Sequence, residues 1–195
     1  MTQEPLFAGL VLAGGRGERL GGCDKGLLLL EGEPFARHLV RALATRLDAI
    51  AISANQALDQ YQAMADAVLP DRFFPEQGPL AGLCEGLHWA RSHGCTGILV
   101  TSCDTPRLSP QWVARLVDGA RDEPGRARLT RLESGEQPLH GYYPVDALAA
   151  LEKALGCGER RARRFAASLS PIWVDCEDLA ADFFNVNEPD DLKKL

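Results

Sequence analysis

The sequence lacks the patterns that mark zinc-binding, membrane-spanning and secreted proteins. Its six cysteines include no pair with C-x-x-C spacing, and its four histidines form no ligand pattern beside them, so we expect no zinc site. No apolar stretch approaches the roughly 20 residues that span a bilayer, and the N-terminus has neither the basic nor the apolar region of a signal peptide. We therefore expect a cytoplasmic protein with reduced thiols and no membrane partner.

The chain also lacks an excess of positive charge. It has 21 Lys and Arg residues against 27 Asp and Glu residues, which gives a net charge of −6. Domains that bind nucleic acid by bulk electrostatics are usually basic, so we expect no nucleic-acid partner. A small anionic ligand is still compatible with this charge, because a basic pocket can form locally in an acidic protein. The length of 195 residues predicts a single domain over residues 1–195.

One short segment, by contrast, is rich in glycine. Residues 12–26 hold six of the 19 glycines and follow an apolar run, residues 7–12, that is typical of a buried strand. Glycine lets backbone N–H groups approach a ligand closely, and concave sets of N–H groups favour anions. Arg16, Arg19 and Lys25 add positive charge to the same segment. The segment is therefore predicted to bind phosphate.

Strands and helices alternate through the first part of the chain. Besides the first strand, apolar runs predict strands over residues 49–53, 67–69 and 97–102. Apolar spacing of three and four predicts helices from Phe35 to Leu47 and over residues 57–65 and 80–93, and Ser109-Pro110 predicts the start of another helix. Such alternation indicates an α/β fold with a mostly parallel sheet and helices on both faces.

The pattern loosens from about residue 123. Strands are predicted over residues 126–132, 139–143 and 172–174, and helices over residues 144–155 and 160–168 and after Pro189. In open parallel sheets the ligand lies outside the carboxyl ends of the strands. The glycine-rich segment, Asn55, Asp71 and Asp104 all follow predicted strands, so we expect them to share one edge of the sheet.

Two common nucleotide motifs do not fit the glycine-rich segment. The dinucleotide fingerprint G-x-G-x-x-G fails because Leu20 stands where the third glycine would be. The Walker A motif fails because Lys25 follows Asp24 and precedes Gly26, so neither the glycine before the lysine nor the hydroxyl residue after it is present.

Five blocks of sequence carry a resemblance to a known family. They are, in chain order, Leu12-Ala13-Gly14-Gly15, then Arg19 with Gly21-Gly22 and Asp24-Lys25-Gly26, then Gly78-Pro79-Leu80-Ala81-Gly82, then Cys103-Asp104-Thr105-Pro106, and last Asn185-Val186-Asn187. With them the chain resembles the nucleotidyltransferases that make activated sugars and cofactors, and within these most closely the molybdenum cofactor guanylyltransferases. Leu20 replaces the usual methionine, and residues 137–140 match the family only loosely.

The resemblance implies a fold, a reaction and partners. The fold would be a three-layer Rossmann-like nucleotidyltransferase fold, with residues 1–122 as the nucleotide-binding half and residues 123–195 as the acceptor-binding half. The reaction would transfer GMP from GTP to the terminal phosphate of molybdopterin, ideally carrying molybdenum, and release pyrophosphate. Mg²⁺ would be the cofactor. The partners would include an upstream molybdenum-insertion protein and a downstream molybdoenzyme chaperone.

The resemblance also implies roles for individual residues. The backbone of Leu12, Ala13, Gly14 and Gly15 would hold the base and phosphates, Lys25 and Arg19 would neutralise the triphosphate, and Asp104 would hold Mg²⁺. Asn55, Asp71 and Gly82 would contact the nucleoside, Asn185 and Asn187 would lie near the reacting phosphates, and Arg160 and Arg161 would contact the acceptor phosphate.

Other interpretations of the same residues stay open. The enzyme could use CTP on molybdopterin or a nucleoside triphosphate on a sugar phosphate, and a non-catalytic nucleotide-binding protein would show the same loop. Asn55 and Asp71 also suit turns, and Asn185 and Asn187 suit the start of a helix. A run of arginines such as residues 160–164 also suits a solvated helix face.

Overall fold

The structure is a computed structural model that describes residues 6–13, 24–187 and 191. In this part of the chain, seven strands form one sheet in the order β5-β4-β1-β6-β8-β7-β9. The strands are β1 (Phe7–Leu12), β4 (Ile50–Ser53), β5 (Ala67–Leu69), β6 (Gly97–Ser102), β7 (Arg128–Leu132), β8 (Gly135–Pro144) and β9 (Ile172–Asp175), beside a ribbon of β2 (Leu29–Leu30) and β3 (Glu33–Pro34). β8 runs antiparallel to both neighbours and the other pairings are parallel, so the predicted mostly parallel sheet is confirmed.

Helices cover both faces of this sheet. They are α1 (Phe35–Leu43), α2 (Leu58–Gln62), α3 (Pro79–Ser92), α4 (Pro110–Asp122), α5 (Leu148–Gly156) and α6 (Ala162–Ser168), with 3-10 helices at Lys25–Leu27, Val145–Ala147 and Glu177–Phe183. One core cluster contains residues of α1 and α4, and the other contains residues of α3, α5 and α6. The predicted three-layer α/β architecture is therefore confirmed. Within the described ranges, no helix combines the length and the hydropathy needed to cross a membrane.

The central strands β1, β4 and β6 are apolar except toward the carboxyl ends of β4 and β6, because both of their faces are buried. In β1, Val11 packs into the cluster under α1 and α4, whereas Leu10 packs into the cluster under α3. In β6, Leu99 and Val100 divide between the clusters in the same way. Successive side chains of a strand point to opposite faces of the sheet, so neighbouring residues enter different core clusters. A strand that is buried on both faces therefore appears in the sequence as a continuous apolar run.

The structure corrects several predicted boundaries. α1 ends at Leu43, although Leu47 is also buried. α2 begins one residue later than predicted because Ala57, with φ of 50°, is outside the right-handed helical region, and it ends at Gln62, three residues before the predicted end. β8 is longer than predicted and begins at Gly135. The predicted helix after Pro189 lies almost wholly outside the described residues, whereas the 3-10 helix at Glu177–Phe183 was not predicted.

The carboxyl ends of the parallel strands form one edge of the sheet. Leu12, the last residue of β1, lies opposite Ser53 of β4 and Ser102 of β6. β8 runs the other way, with Pro144 beside the start of β6, so α5 begins at the opposite edge and runs back. The connection from α5 to α6, residues 157–161, consequently lies toward the edge that carries the strand ends.

Candidate functional site

A lysine, an aspartate and an asparagine from distant parts of the chain meet at this edge. The Nζ atom of Lys25 lies 3.0 Å from Oδ1 of Asp104 and 3.0 Å from Oδ1 of Asn187. The lysine side chain is 18% exposed and that of Asp104 is 41% exposed, so the ion pair is partly exposed and lies outside the core. The fold therefore brings together three of the residues predicted for the phosphate and metal site.

Lys25 is held by the residues on either side of it. Asp24 caps the 3-10 helix that starts at Lys25, and its Oδ1 accepts the N–H of Gly26 at 3.1 Å and the hydroxyl of Tyr61. Tyr61 is fully buried, and a Cβ on Gly26 would overlap its hydroxyl oxygen and crowd the edge of its ring. Glycine at position 26 thus lets the loop lie directly against a rigid aromatic ring. This contact fixes the backbone from which the lysine side chain extends.

Asp104 is held in place by a backbone hydrogen bond and by a contact between the next residue and a buried histidine. It follows β6, and its carbonyl accepts the N–H of Val186 at 2.9 Å, which brings Asn187 to the site. The next residue, Thr105, is buried and its Oγ1 lies 2.8 Å from Nε2 of His140. Desolvation lowers the pKa of His140 to about 4, so this imidazole is neutral near pH 7. A neutral buried hydrogen bond therefore anchors the turn that carries the aspartate.

The donor atoms around Lys25 suit a hard divalent cation. A carboxylate oxygen of Asp104 and the amide oxygen of Asn187 both lie 3.0 Å from the ammonium nitrogen, and both are oxygen ligands. Magnesium prefers one or two carboxylates together with water and phosphate oxygens. The partial exposure of Asp104 leaves room for such ligands. The residues present therefore fit a site for a divalent cation beside a phosphate group.

Asn55 and Asp71 bind each other at the ends of β4 and β5. The Nδ2 of Asn55 donates to Oδ2 of Asp71 at 2.9 Å, and the N–H of Asp71 donates to Oδ1 of Asn55 at 2.8 Å. Burial raises the pKa of Asp71. The following N–H groups, of Arg72 and Phe73, donate to Oε1 of Glu85 at 2.6 and 2.8 Å. These bonds fasten the loop to α3, and the nucleoside contacts of Asn55 and Asp71 stay predictions.

Backbone groups of the first loop are partly used by the sheet. The N–H of Ala13 donates to the carbonyl of Ser53 at 2.9 Å, and the carbonyl of Leu12 accepts the N–H of Cys103 at 3.1 Å. The N–H of Ala13 and the carbonyl of Leu12 therefore already have partners within the protein. The predicted nucleotide contacts of Leu12 and Ala13 would have to use other backbone groups, and they stay predictions. Gly14, Gly15 and Arg19 lie outside the described residues.

Gly82 has a packing role that the sequence did not reveal. It lies in the second turn of α3, where a Cβ would overlap Oγ of Ser53 and come within 2.9 Å of Cδ2 of Leu12. The absence of a side chain therefore lets α3 pack closely on the ends of β1 and β4. The predicted contact of Gly82 with a base is not needed to explain a glycine here, and it stays a prediction.

Replacing Gly82 by alanine is expected to lower the free energy of unfolding by about 1–2 kcal/mol. The overlap costs about 1–3 kcal/mol, and the better helix propensity of alanine offsets part of it. Gly156→Ala is the matched control, because a Cβ there meets nothing within 4 Å, and its stability should be unchanged or slightly higher. Urea denaturation measures both. If Gly82→Ala kept full stability but lost nucleotide affinity, the glycine would serve the ligand and not the packing.

Arg160 and Arg161 lie in the connection from α5 to α6, beside an open cavity of about 520 Å³. The side chain of Arg160 donates to the carbonyls of Leu155 and Glu159, at 2.9 and 2.8 Å. The N–H groups of both arginines donate to Oε1 of Glu159 at 3.0 Å, and the bond from Arg161 lowers the pKa of that carboxyl. Arg164 also lines the cavity, so the cavity wall carries three arginines and only one carboxylate, that of Glu159.

The supporting residues of the site were missed by sequence reasoning. Tyr61, Thr105 and His140 touch no predicted ligand, and their roles depend on partners more than 30 positions away along the chain. Asp24 and Thr105 belong to the blocks that carry the family resemblance, but no role was predicted for either residue. Asn185 is exposed and lies two residues before Asn187, and its predicted role stays a prediction.

Comparison with known proteins places this arrangement in context. The family model described as the MobA-like NTP transferase domain matches residues 9–172. A molybdenum cofactor guanylyltransferase of Burkholderia vietnamiensis is 36% identical over 98% of this chain and 96% of its own length. The structure of molybdopterin-guanine dinucleotide biosynthesis protein A from Archaeoglobus fulgidus superimposes with a TM-score of 0.79, covering 96% of this chain and 95% of that one at 22% identity. A manganese complex of Rv0371c from Mycobacterium tuberculosis superimposes with a TM-score of 0.62 at 20% identity, covering 97% of each chain.

Proposed function

Since the chain belongs to the MobA-like NTP transferase family, we propose that it transfers GMP from GTP to the terminal phosphate of molybdopterin and releases pyrophosphate. The product is the guanine dinucleotide form of the molybdenum cofactor. The observation that carries the proposal is the cluster of Lys25, Asp104 and Asn187 at the carboxyl edge of the sheet. A relative 36% identical over nearly the whole length carries the name of this activity.

The reaction requires the protein to position the two substrates and to neutralise charge, and it does not require a covalent bond to the protein. A phosphate oxygen of the acceptor attacks the α-phosphorus of GTP, and the bond from that phosphorus to the bridging oxygen of pyrophosphate breaks. A phosphate nucleophile is already ionised near neutral pH, so no general base is required. Catalysis then rests on in-line placement and on neutralising charge at the α-phosphate and the leaving pyrophosphate.

Each residue of the cluster would have a separate role in this reaction. Lys25 presents a point charge that would leave Asp104 and turn to the phosphates when the nucleotide binds. Asp104, with the amide oxygen of Asn187, would hold Mg²⁺, which supplies charge neutralisation to the triphosphate when bound. Arg19 would assist Lys25, and the backbone of Leu12, Ala13, Gly14 and Gly15 with Asn55, Asp71 and Gly82 would hold the nucleoside.

The acceptor would approach from the second half of the chain. The connection with Arg160 and Arg161 lies toward the edge that carries Asp104, and its cavity carries excess positive charge. We assign the terminal phosphate of molybdopterin to this side and the nucleotide to residues 1–122. The division is not strict, because Asn187 of the acceptor half bonds to Lys25 of the nucleotide half. A cytoplasmic location, an upstream molybdenum-insertion protein and a downstream molybdoenzyme chaperone belong to the same proposal.

Calorimetric titration with GTP, CTP, ATP and UTP in the presence of Mg²⁺ tests the choice of base. We expect GTP to bind at least about tenfold more tightly than the other three, because unpaired polar groups in a base pocket penalise the wrong base. Tighter binding of CTP would contradict the guanylyl assignment and favour a cytidylyl enzyme. Nucleotide binding without turnover on molybdopterin would favour a sugar phosphate as acceptor or a non-catalytic protein.

Replacing Arg160 and Arg161 together by alanine is expected to raise the KM for molybdopterin at least about tenfold, because charge-assisted contacts to a phosphate would be lost. The KM for GTP should not change. Arg121→Ala with Arg126→Ala is the matched control, since it removes the same charge from exposed positions around the end of α4. An unchanged KM for molybdopterin would reject the proposed role of these arginines.

A further inference from the structure

A thiol, an imidazole and a carboxylate meet between α3 and α5, away from Lys25 and Asp104. Cys84 and His88 are four residues apart on α3, which places them on one face of the helix. Glu152 of α5 faces them, and its Oε1 lies 2.9 Å from Nε2 of His88. The ligand atoms of the three side chains all lie within 4.8 Å of one another.

We propose that Cys84, His88 and Glu152 bind one Zn²⁺ ion, a site that lies outside the proposed reaction. Sulfur, nitrogen and oxygen donors from three residues are the set that zinc accepts in tetrahedral sites, with a fourth position left for water. Magnesium does not select such a set, because it prefers oxygen ligands in octahedral geometry. The site is thus chemically distinct from the oxygen-lined site at Asp104.

The carboxylates around the Cys84 thiol favour a cation. Cys84 is fully buried, and His88 and Glu152 are partly buried, so a bound ion would be shielded from bulk water on the side of the sheet. The carboxylates of Glu152, Glu85 and Asp71 lie close enough to act electrostatically on the Cys84 thiol. Their negative charge attracts a divalent ion, which replaces the thiol proton.

Metal binding would replace the hydrogen bonds that His88 makes with Glu152 and Arg91. In the absence of metal, a guanidinium nitrogen of Arg91 donates to Nδ1 at 3.2 Å, so Nε2 carries the proton and donates to Glu152. Zinc at Nε2 moves that proton to Nδ1 and displaces Arg91, whose side chain is exposed and free to turn into solvent. The thiol proton of Cys84 is released to solvent, so one proton leaves for each ion bound.

The bound ion would join α3 to α5 near the loop after β5. Phe73 of that loop stacks on His88 with ring centroids 4.1 Å apart, and Glu85, one position after Cys84, holds the N–H groups of Arg72 and Phe73. Zinc would therefore fix a junction of two helices and one loop. Its loss would loosen this junction without removing a residue proposed to contact the reacting phosphates.

Titration of the reduced full chain, without a histidine tag, with Co²⁺ tests the site. We expect one Co²⁺ per chain, with the near-ultraviolet charge-transfer band of a thiolate ligand, and displacement of Co²⁺ by Zn²⁺. Cys84→Ser should abolish the band. Cys95→Ser is the control, because Cys95 is a free, partly buried thiol outside the cluster, and the band should persist in this variant.

Further variants keep the test decisive if Cys84→Ser fails to fold. His88→Gln and Glu152→Gln change partly buried side chains of similar size, and each should weaken Zn²⁺ binding at least about tenfold. Arg91→Ala should strengthen it, since it removes the competing donor and its positive charge. The proposal is overturned if the wild-type chain gives no thiolate band, or if Cys84→Ser, His88→Gln and Glu152→Gln all bind Zn²⁺ as tightly as the wild type.

Discussion

Replacing Lys25 by alanine is expected to lower kcat by about a hundredfold to a thousandfold. Removal of one preorganised charge from a site of phosphoryl chemistry costs about this much. The ion pair with Asp104 is partly exposed, so its loss should change the free energy of unfolding by no more than about 1 kcal/mol. Steady-state kinetics together with urea denaturation separate a catalytic role of the lysine from a structural one.

Two further variants sharpen the test of Lys25. Lys25→Arg keeps the charge but not the compact ammonium group that bonds to Asp104 and Asn187, so we expect partial activity. Lys153→Ala removes a lysine from an exposed position on α5 and should leave kcat unchanged. Full activity of Lys25→Ala would mean that the charge at the phosphates comes from another residue, and the role assigned to Lys25 would be wrong.

Replacing Asp104 by asparagine is expected to lower kcat by at least about a hundredfold while GTP affinity changes much less. The variant loses a carboxylate ligand for the divalent cation, whereas the base and ribose contacts are made elsewhere. The turn should keep its place because the carbonyl of residue 104 still accepts the N–H of Val186 and Thr105 still contacts His140. Kinetics at several Mg²⁺ concentrations, with calorimetry for GTP, measure the two effects.

The matched control for Asp104→Asn is Asp122→Asn, which makes the same change of charge at the exposed end of α4. It should leave kcat and its dependence on Mg²⁺ unchanged. Because Lys25 and Asp104 bond to each other, the double variant should lose less activity than the product of the two single losses. An Asp104→Asn variant with the wild-type dependence on Mg²⁺ would show that the metal is held by other residues.

Local chemistry made much of the fold predictable. Ser109-Pro110 was predicted to start a helix, and Oγ of Ser109 caps α4 by accepting the N–H of Trp112 at 3.4 Å. The apolar run of β1 was predicted as a buried strand and that of β6 as a strand, and both are central strands of the sheet, where both faces are covered. The start of β8 was missed because Gln137-Pro138 interrupts its apolar pattern, and proline is unusual inside a sheet. Parallel topology predicted the shared edge of Asn55, Asp71 and Asp104.

Contacts between residues far apart in the sequence could not be predicted from local sequence patterns. Spacing alone does not place Asn187 beside Lys25, 162 residues away, and only the family resemblance pointed to both. The expectation of no zinc site rested on C-x-x-C spacing, which does not detect a cysteine and a histidine four apart on a helix. The third donor, Glu152, lies 64 residues from His88 and joins them only because α5 packs on α3.

Label transfer measures the central claim most directly. The chain is incubated with Mg²⁺, molybdopterin and GTP labelled at the α-phosphate, and the label on the pterin is compared with the pyrophosphate released. We expect one labelled GMP on molybdopterin for each pyrophosphate, a reaction that requires the acceptor and is lost in Lys25→Ala and Asp104→Asn. Pyrophosphate release without label on the pterin, or transfer from CTP in preference to GTP, would contradict the account.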